Sequence, residues 1–399
     1  MKLAFVHLNH YIAQGSTDFY ELTQAVGRLL SGCVDVFVAG GRGRVAPAAG
    51  PLNLHTISVG TRRVWTRESI HFYCEAARRI ARLRPDVVCV TFDRGAAAIP
   101  VMVRRKLGNS APKFVHHICS VSFAQNRVRY RASNWLTRLE SSCFDAVTTL
   151  SPDIAREIYG RHYSKPIEIV PIGVNMERFT FDPCARAELR ARHGCTESDL
   201  IFIYVGTLSA SKNCEDLIRA LGKTGLNSGG IRLWIVGDGP QKAELERLAD
   251  ESPVRTSIHF LGNVPYDQVP RYLSAADLGV SHFPWGSRHF LQPPIKVLEY
   301  LSCSLPVLAT DGPGNRFYLK DKHNAVLYAP TGARGLAEAF LWASAHRETI
   351  NDLRRRARES AAQFDWDKVA ASFVGWLGRD VMRGAARASA PPGRCVLNR

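Results

Sequence analysis

The residues best placed to do chemistry gather in one short stretch, "QPPIKVLEYLSCSLPVLATDGPG", residues 292–314. On a helix from about Pro294 to Cys303, Val297, Leu298, Leu301 and Leu305 make an apolar stripe, and Lys296 and Glu299 share the opposite face. As a surface ion pair this order is the poorer one, because the pair is stronger when Glu precedes Lys. Pro293 and Pro294 fix the entry into the helix at Ile295, as a binding site requires. A carboxylate there can accept both hydroxyls of a ribose, and the ammonium groups of Lys296 and Lys212 can meet a diphosphate.

Three strand ends in the same half of the chain support that chemistry. "YVGTLSASKN" puts Gly206 and Thr207 at a strand end, with Lys212 at the mouth of the next helix. "IVGDGP" places Gly237, Asp238 and Gly239 in a tight turn, and "FLGNVP" sets Gly262 ahead of Asn263 and Val264. Glycine at such points lets the backbone approach a ligand, and helix N-termini offer free N–H groups to phosphate. One such turn is routine α/β geometry, whereas four in register predict a cleft for a nucleoside-diphosphate ester.

The elements that must position these residues alternate strand and helix almost without interruption, which predicts an α/β protein with doubly wound parallel sheets. In the first half the strands are "KLAFVHL", "VDVFVAGG", "DVVCVTF", "KFVHHIC", "AVTTLS" and "IEIVPIG". A polar passage near residues 175–200 separates them from "LIFIYVGTL", "IRLWIVGDGP", "SIHFLGN", "DLGVSHFP", "LPVLATD" and "NAVLYAP". The expected divisions are a first Rossmann-like domain over 1–175 and a second over 176–365. A closing helix over 366–382 packs back on the first domain, and a disordered tail occupies 383–399.

The 399 residues, 46% hydrophobic and 22% charged, suit a soluble two-domain protein, and no apolar run reaches membrane-spanning length. Ten scattered cysteines without CxxC or zinc spacing point to a reducing, cytoplasmic setting. The net charge of +16 lies mostly in the first 175 residues and in the tail from Arg383 onward. "RVRYRASNWLTRL" sets Arg127, Arg129 and Arg131 beside Tyr130 and Trp135. It reads either as a peripheral contact with an anionic membrane or acidic acceptor, or as a solvated helix start over a buried Trp. Nothing accompanies the charge that would read nucleic acid, so no such partner is expected. "DWD" at 365–367 reads as Asp365 capping a helix rather than as a metal site. "GDGPQ" lacks the full dinucleotide pattern, so neither metal nor cofactor is expected.

With these residues in place, the chain resembles the retaining glycosyltransferases of family four, which have the GT-B fold. The resemblance rests on "VGTLSASKNCEDLIRAL", "LWIVGDGPQKAELERLA", "IHFLGNVPYDQVPRYLSAADLGV", "PPIKVLEYLSCSLPVLATD" and "FDWDKVAASF", in the family's order. It implies transfer of a sugar from a UDP- or GDP-linked donor to a hydroxyl of a glycan, glycolipid or lipid-linked acceptor. By position it implies Lys212 at the donor diphosphate, Glu299 at the ribose and the backbone of Gly262, Asn263 and Val264 at the base. It also implies Gly15 in a loop near the phosphates. The family's histidine beside the transferred sugar falls at His117, with His116 as the alternative. Three departures stand out: Thr207 in place of an Arg, Leu291 in place of a Glu, and Ser304 in place of a Gly. Two other readings remain, a sugar-nucleotide epimerase of the same fold and a non-catalytic partner subunit.

Overall fold

The computed structural model describes residues 1–7, 18–40, 52–58, 67–91, 94–124, 126–161, 163–225, 230–284, 286 and 288–382. Thirteen strands form among these residues because short β-branched and aromatic runs are buried on both faces, as parallel sheets demand. In chain order they are β1 (Leu3–His7), β2 (Val34–Gly40), β3 (Leu52–Ser58), β4 (Val87–Thr91), β5 (Lys113–Ile118), β6 (Ala146–Thr149) and β7 (Ile167–Ile169). The second set is β8 (Leu200–Val205), β9 (Ile231–Val236), β10 (Ile258–Gly262), β11 (Leu278–Ser281), β12 (Val307–Thr310) and β13 (Ala325–Tyr328).

The first set makes a sheet of order β3-β2-β1-β4-β5-β6-β7 and the second a sheet of order β10-β9-β8-β11-β12-β13. Every strand pair is parallel. Strand order reverses beside β1 in the first sheet and beside β8 in the second. In open α/β sheets such points, beyond the carboxyl ends of the strands, are where ligands bind. One apolar core runs unbroken from Phe5 and Val115 in the first sheet to Trp234 in the second and Tyr300 on a helix packed against it. Separate clusters cover the remaining faces.

Six strands are expected in the first sheet and seven are found. The addition, β3, is an edge strand paired on one side only, and Asn53, His55 and Thr56 interrupt its apolar pattern. His55 stacks on Phe37 at 4.7 Å and its Nε2 lies 2.7 Å from Asp35 Oδ1. These contacts hold the strand despite its polar composition.

The base of the second sheet is tied by a charged knot. Asp277, at the foot of β11, accepts from Arg186 at 3.0 Å, Arg190 at 3.2 Å and Arg354 at 3.3 Å, and from the backbone N–H of Ile201 at 2.8 Å. Arg190 is buried, and its second terminal nitrogen donates to the carbonyls of Thr196 and Asp199.

After the second sheet, the helix Trp366–Trp376 runs against the first domain. Phe373 lies 6.5 Å from Phe5 and Arg28 pairs with Asp367 at 2.6 Å. Asp365 caps this helix, accepting from Asp367 N at 3.0 Å. Among the described residues no cluster could hold a metal ion. At the crossing point Val174 N donates to Phe364 O at 2.9 Å, and Trp366 N donates to Val174 O at 3.2 Å.

Candidate active site

The turns after β8, β9 and β10 are laced together through their backbones. Gly206 N donates to Val236 O at 3.0 Å, Leu208 N to Asp238 O at 3.0 Å and Gly237 N to Gly262 O at 2.7 Å. A side chain on Gly237, whose φ is 139°, would strike the carbonyl of Gly206, and one on Gly239 would strike that of Leu208. These two glycines are therefore required by packing between turns. Gly262, φ 71°, has open space where a Cβ would stand, with the exposed Asn263 and half-buried Val264 following it. Thr207 and Asp238 are exposed, and Asp238 Oδ1 accepts from Gly239 N at 2.7 Å.

The turn carrying Lys212 is fixed from beneath. Asn213 adopts a left-handed φ of 49° and donates Nδ2 to Asp216 Oδ2 at 2.6 Å. The same carboxylate oxygen lies 3.0 Å from His282 Nε2, and His282 Nδ1 lies 2.8 Å from the Tyr328 hydroxyl.

Above that network two ammonium groups converge. Lys212 Nζ sits 5.3 Å from the centre of the Phe283 ring, and Lys296 Nζ lies 5.9 Å from the same ring and 3.9 Å above Tyr204. Among the described residues neither has a carboxylate within ion-pair distance. Burial holds Lys212 below its ordinary range. Burial first, then the charge of Lys212, brings Lys296 down to about 7. Two cations held against aromatic faces rather than against acids form a corner that a multivalent anion would stabilise.

The helix Ile295–Ser302 begins at Pro294 and buries Val297, Leu298 and Leu301 completely. Glu299, 5% exposed, lies on the side of the β10 loop, and its Oε1 accepts from the Tyr266 hydroxyl at 2.7 Å. Tyr266 is held edge-on to Phe179 at 5.4 Å, with the Arg178 guanidinium 5.5 Å from its ring centre. The helix start thus presents Lys296 toward β8 and Glu299 toward the loop after β10. Tyr266 lies inside the stretch "IHFLGNVPYDQVPRYLSAADLGV", but nothing in that stretch marks it as the partner of Glu299.

In the first domain His117 closes β5 toward the carboxyl edge. It is 4% exposed, its Nδ1 lies 2.7 Å from Thr148 Oγ1, and burial pushes it down to about 3. His7, at the end of β1, is likewise held near 3, by burial and then by His117. No role is assigned to His7 from the sequence. The sole available signal was its place as a polar residue ending an apolar strand. His116 points to the opposite face, stacked on Phe144 at 4.3 Å with Nδ1 2.8 Å from Ser141 Oγ. Gly15 lies outside the described residues. The departures also find places: Leu291 packs into the apolar core, and Ser304 adopts a left-handed φ of 56° where a glycine would be unstrained. A hollow of about 330 Å³ lines the outer side of the β10 loop, between Asn263, Val264, Tyr272 and Arg192, and holds none of the charged site residues.

Trp135 is 61% exposed rather than buried. It shares its helix, Arg127–Ser141, with exposed Val128, Leu136 and Leu139 and the three arginines. Only Tyr130, Asn134, Thr137 and Ser141 turn that helix inward, so the indole lies on the outer face.

Comparison with known proteins agrees with this architecture. Residues 185–361 match the family described as Glycosyl transferases group 1, and residues 21–174 match the Glycosyl transferase 4-like domain. A GDP-mannose-dependent phosphatidylinositol monomannoside mannosyltransferase of Mycobacterium tuberculosis is 28% identical over 54% of this chain and 56% of its own. The chain thus spans little more than half the length of that relative. The dimannoside mannosyltransferase of the same species is 27% identical over 74% of each chain. Among solved structures, Anabaena HepE in complex with UDP and glucose superposes with a TM-score of 0.75 over 95% of this chain and 100% of its own, at 15% identity. WaaG, a glycosyltransferase involved in lipopolysaccharide biosynthesis, gives 0.65 over 96% of this chain and 100% of its own, at 19% identity. The matched regions cover twelve of the thirteen strands, and the chain belongs to the group 1 glycosyl transferases of family 4 type, with the GT-B fold.

Proposed function

We propose that this protein transfers a hexose from a UDP- or GDP-linked donor to a hydroxyl of a glycan or lipid-linked acceptor, with retention of anomeric configuration. The observation that carries this reading is the corner where Lys212 and Lys296 lie against aromatic faces, with no carboxylate partner among the described residues, while Glu299 stands on the same helix start. In it the two ammonium groups take the diphosphate, Glu299 takes the ribose hydroxyls, and Gly262 to Val264 meet the base. Charge that grows on the leaving diphosphate is stabilised in place, which is where such catalysts gain most. A neutral His117 can hydrogen-bond the transferred sugar without adding charge near the anomeric centre. Retention fits a departing phosphate oxygen that takes the acceptor proton on the face it leaves.

The test is a screen of UDP- and GDP-sugars with chromatographic detection of transferred sugar, repeated with Glu299→Ala. Transfer by the unaltered protein and a donor KM at least about tenfold higher in the variant, as expected on removing hydrogen bonds to a charged group, supports the reading. Sugar conversion without any acceptor would point instead to an epimerase, and no nucleotide binding at all to a partner subunit.

The acceptor side of the proposal rests on the outer face of the helix Arg127–Ser141, where arginines flank exposed Val128, Trp135 and Leu139. Such a face suits the headgroup region of an anionic bilayer. No helix among the described residues is long and apolar enough to cross a membrane. Flotation with phosphatidylglycerol vesicles should carry the protein upward at low salt and lose it in Trp135→Ala. Equal flotation with neutral phosphatidylcholine vesicles would refute the contact.

A further inference from the structure

One side chain at the lysine pair belongs to no motif. The turn Arg288–Leu291, between β11 and the helix Ile295–Ser302, brings His289 Nδ1 to 3.4 Å from Lys212 Nζ. An ammonium can only donate, so this nitrogen must accept, which an imidazole does only while neutral. Burial, then the charges of Lys212 and Lys296, hold His289 at about 4, so the acceptor is present throughout the physiological range. Among the described residues these two lysines are the charged groups that act on it.

The ring is also clamped between the two domains. Phe283, at the end of β11, faces it at 6.1 Å and 23°, and Phe123, from the loop after β5 in the first domain, lies 5.0 Å away at 37°. Phe123 is otherwise 46% exposed, and β5 is the strand whose next-to-last residue is His117. One imidazole therefore touches the donor-side lysine and the acceptor-side loop at once.

We propose that His289 is a positioning residue that orients Lys212 toward the donor diphosphate, with Phe123 setting the imidazole so that this cluster is complete only when the two domains meet. The proposal rests on the reading of the cleft as a nucleoside-diphosphate site. His289 acts through Lys212 and is not itself required to touch the donor.

Two replacements separate the acceptor from the ring. His289→Phe keeps an aromatic surface for Phe123 and Phe283 and removes the acceptor, whereas His289→Gln keeps an acceptor and removes the ring. Binding of free UDP and GDP is measured by calorimetry on the full chain, with thermal unfolding as the check on folding. H289F is expected to weaken whichever nucleotide binds by about tenfold with little change in unfolding temperature. H289Q should stay within about threefold of the unaltered protein. Phe123→Ala should weaken binding in the unaltered background and have no further effect in H289Q, a non-additivity that independent sites do not show. Nucleotide affinity in H289F equal to that of the unaltered protein would overturn the positioning role alone. Failure of both UDP and GDP to bind the unaltered protein would overturn the reading of the cleft, and this inference with it.

Discussion

Lys212→Ala is expected to lower kcat/KM for sugar transfer by about a hundred- to a thousandfold, the range seen when one preorganised group facing developing negative charge is removed. The lysine is desolvated, its turn is fixed from beneath by Asn213 and Asp216, and among the described residues no carboxylate pairs with it. Its field would act in full on a leaving diphosphate. Its removal should also change the pH profile. In the free protein Lys296 titrates near 7, held down by burial and by Lys212, so it loses its charge as pH rises through that value. The alkaline side of the kcat/KM profile should therefore fall from about pH 7. Without Lys212 the like-charge repulsion is gone, the Lys296 amine is easier to protonate, and the falling limb should move to higher pH. Steady-state rates across pH 6 to 9 would show both effects. A Lys212→Ala protein with near-normal transfer at low and saturating donor would remove the diphosphate from this corner.

The second large effect is on stability. Asp277→Ala should destabilise the second domain by about 3–5 kcal/mol, because it takes the shared carboxylate from Arg186, Arg190 and Arg354 and leaves a buried guanidinium without its main counter-charge. The backbone N–H of Ile201 loses its acceptor in the same step. Asp277→Asn keeps an acceptor for that N–H and should cost less. Urea unfolding followed by the fluorescence of Trp234, buried in this domain, would measure both. Asp277→Ala unfolding at an unchanged urea midpoint would show that the remaining carbonyl contacts of Arg190 suffice.

Much of the fold and part of the site are legible in the sequence, for reasons that differ by residue. The six strands of the second sheet stand out because each is an apolar run ending in Gly, Asp or Pro, and parallel strands are buried on both faces. Lys296 and Glu299 stand out because helical periodicity places two charges opposite a stripe that must be buried. Edge strand β3 does not, since Asn53, His55 and Thr56 at the margin of the sheet break the apolar pattern. Trp135 misleads because an indole on a helix reads as core unless the inward stripe is known, and here Tyr130, Asn134, Thr137 and Ser141 fill that stripe. Tyr266 and His289 escape notice for a different reason. Each acts through a partner distant in the chain, Glu299 or Lys212, and no local spacing encodes that contact.

The crossing at Val174 and Trp366 has a mechanical consequence. The chain passes between the lobes twice, and the two passages lie side by side, hydrogen-bonded to each other. Gly173 is packed so tightly under the Trp366 indole that a methyl group would collide with it. Twin tethers bound along one line leave the lobes free to rock about that line while resisting sliding or twisting. Any approach of Phe123 to His289 is then a swing of fixed direction, and the register between acceptor loop and donor lysine is set by the pivot.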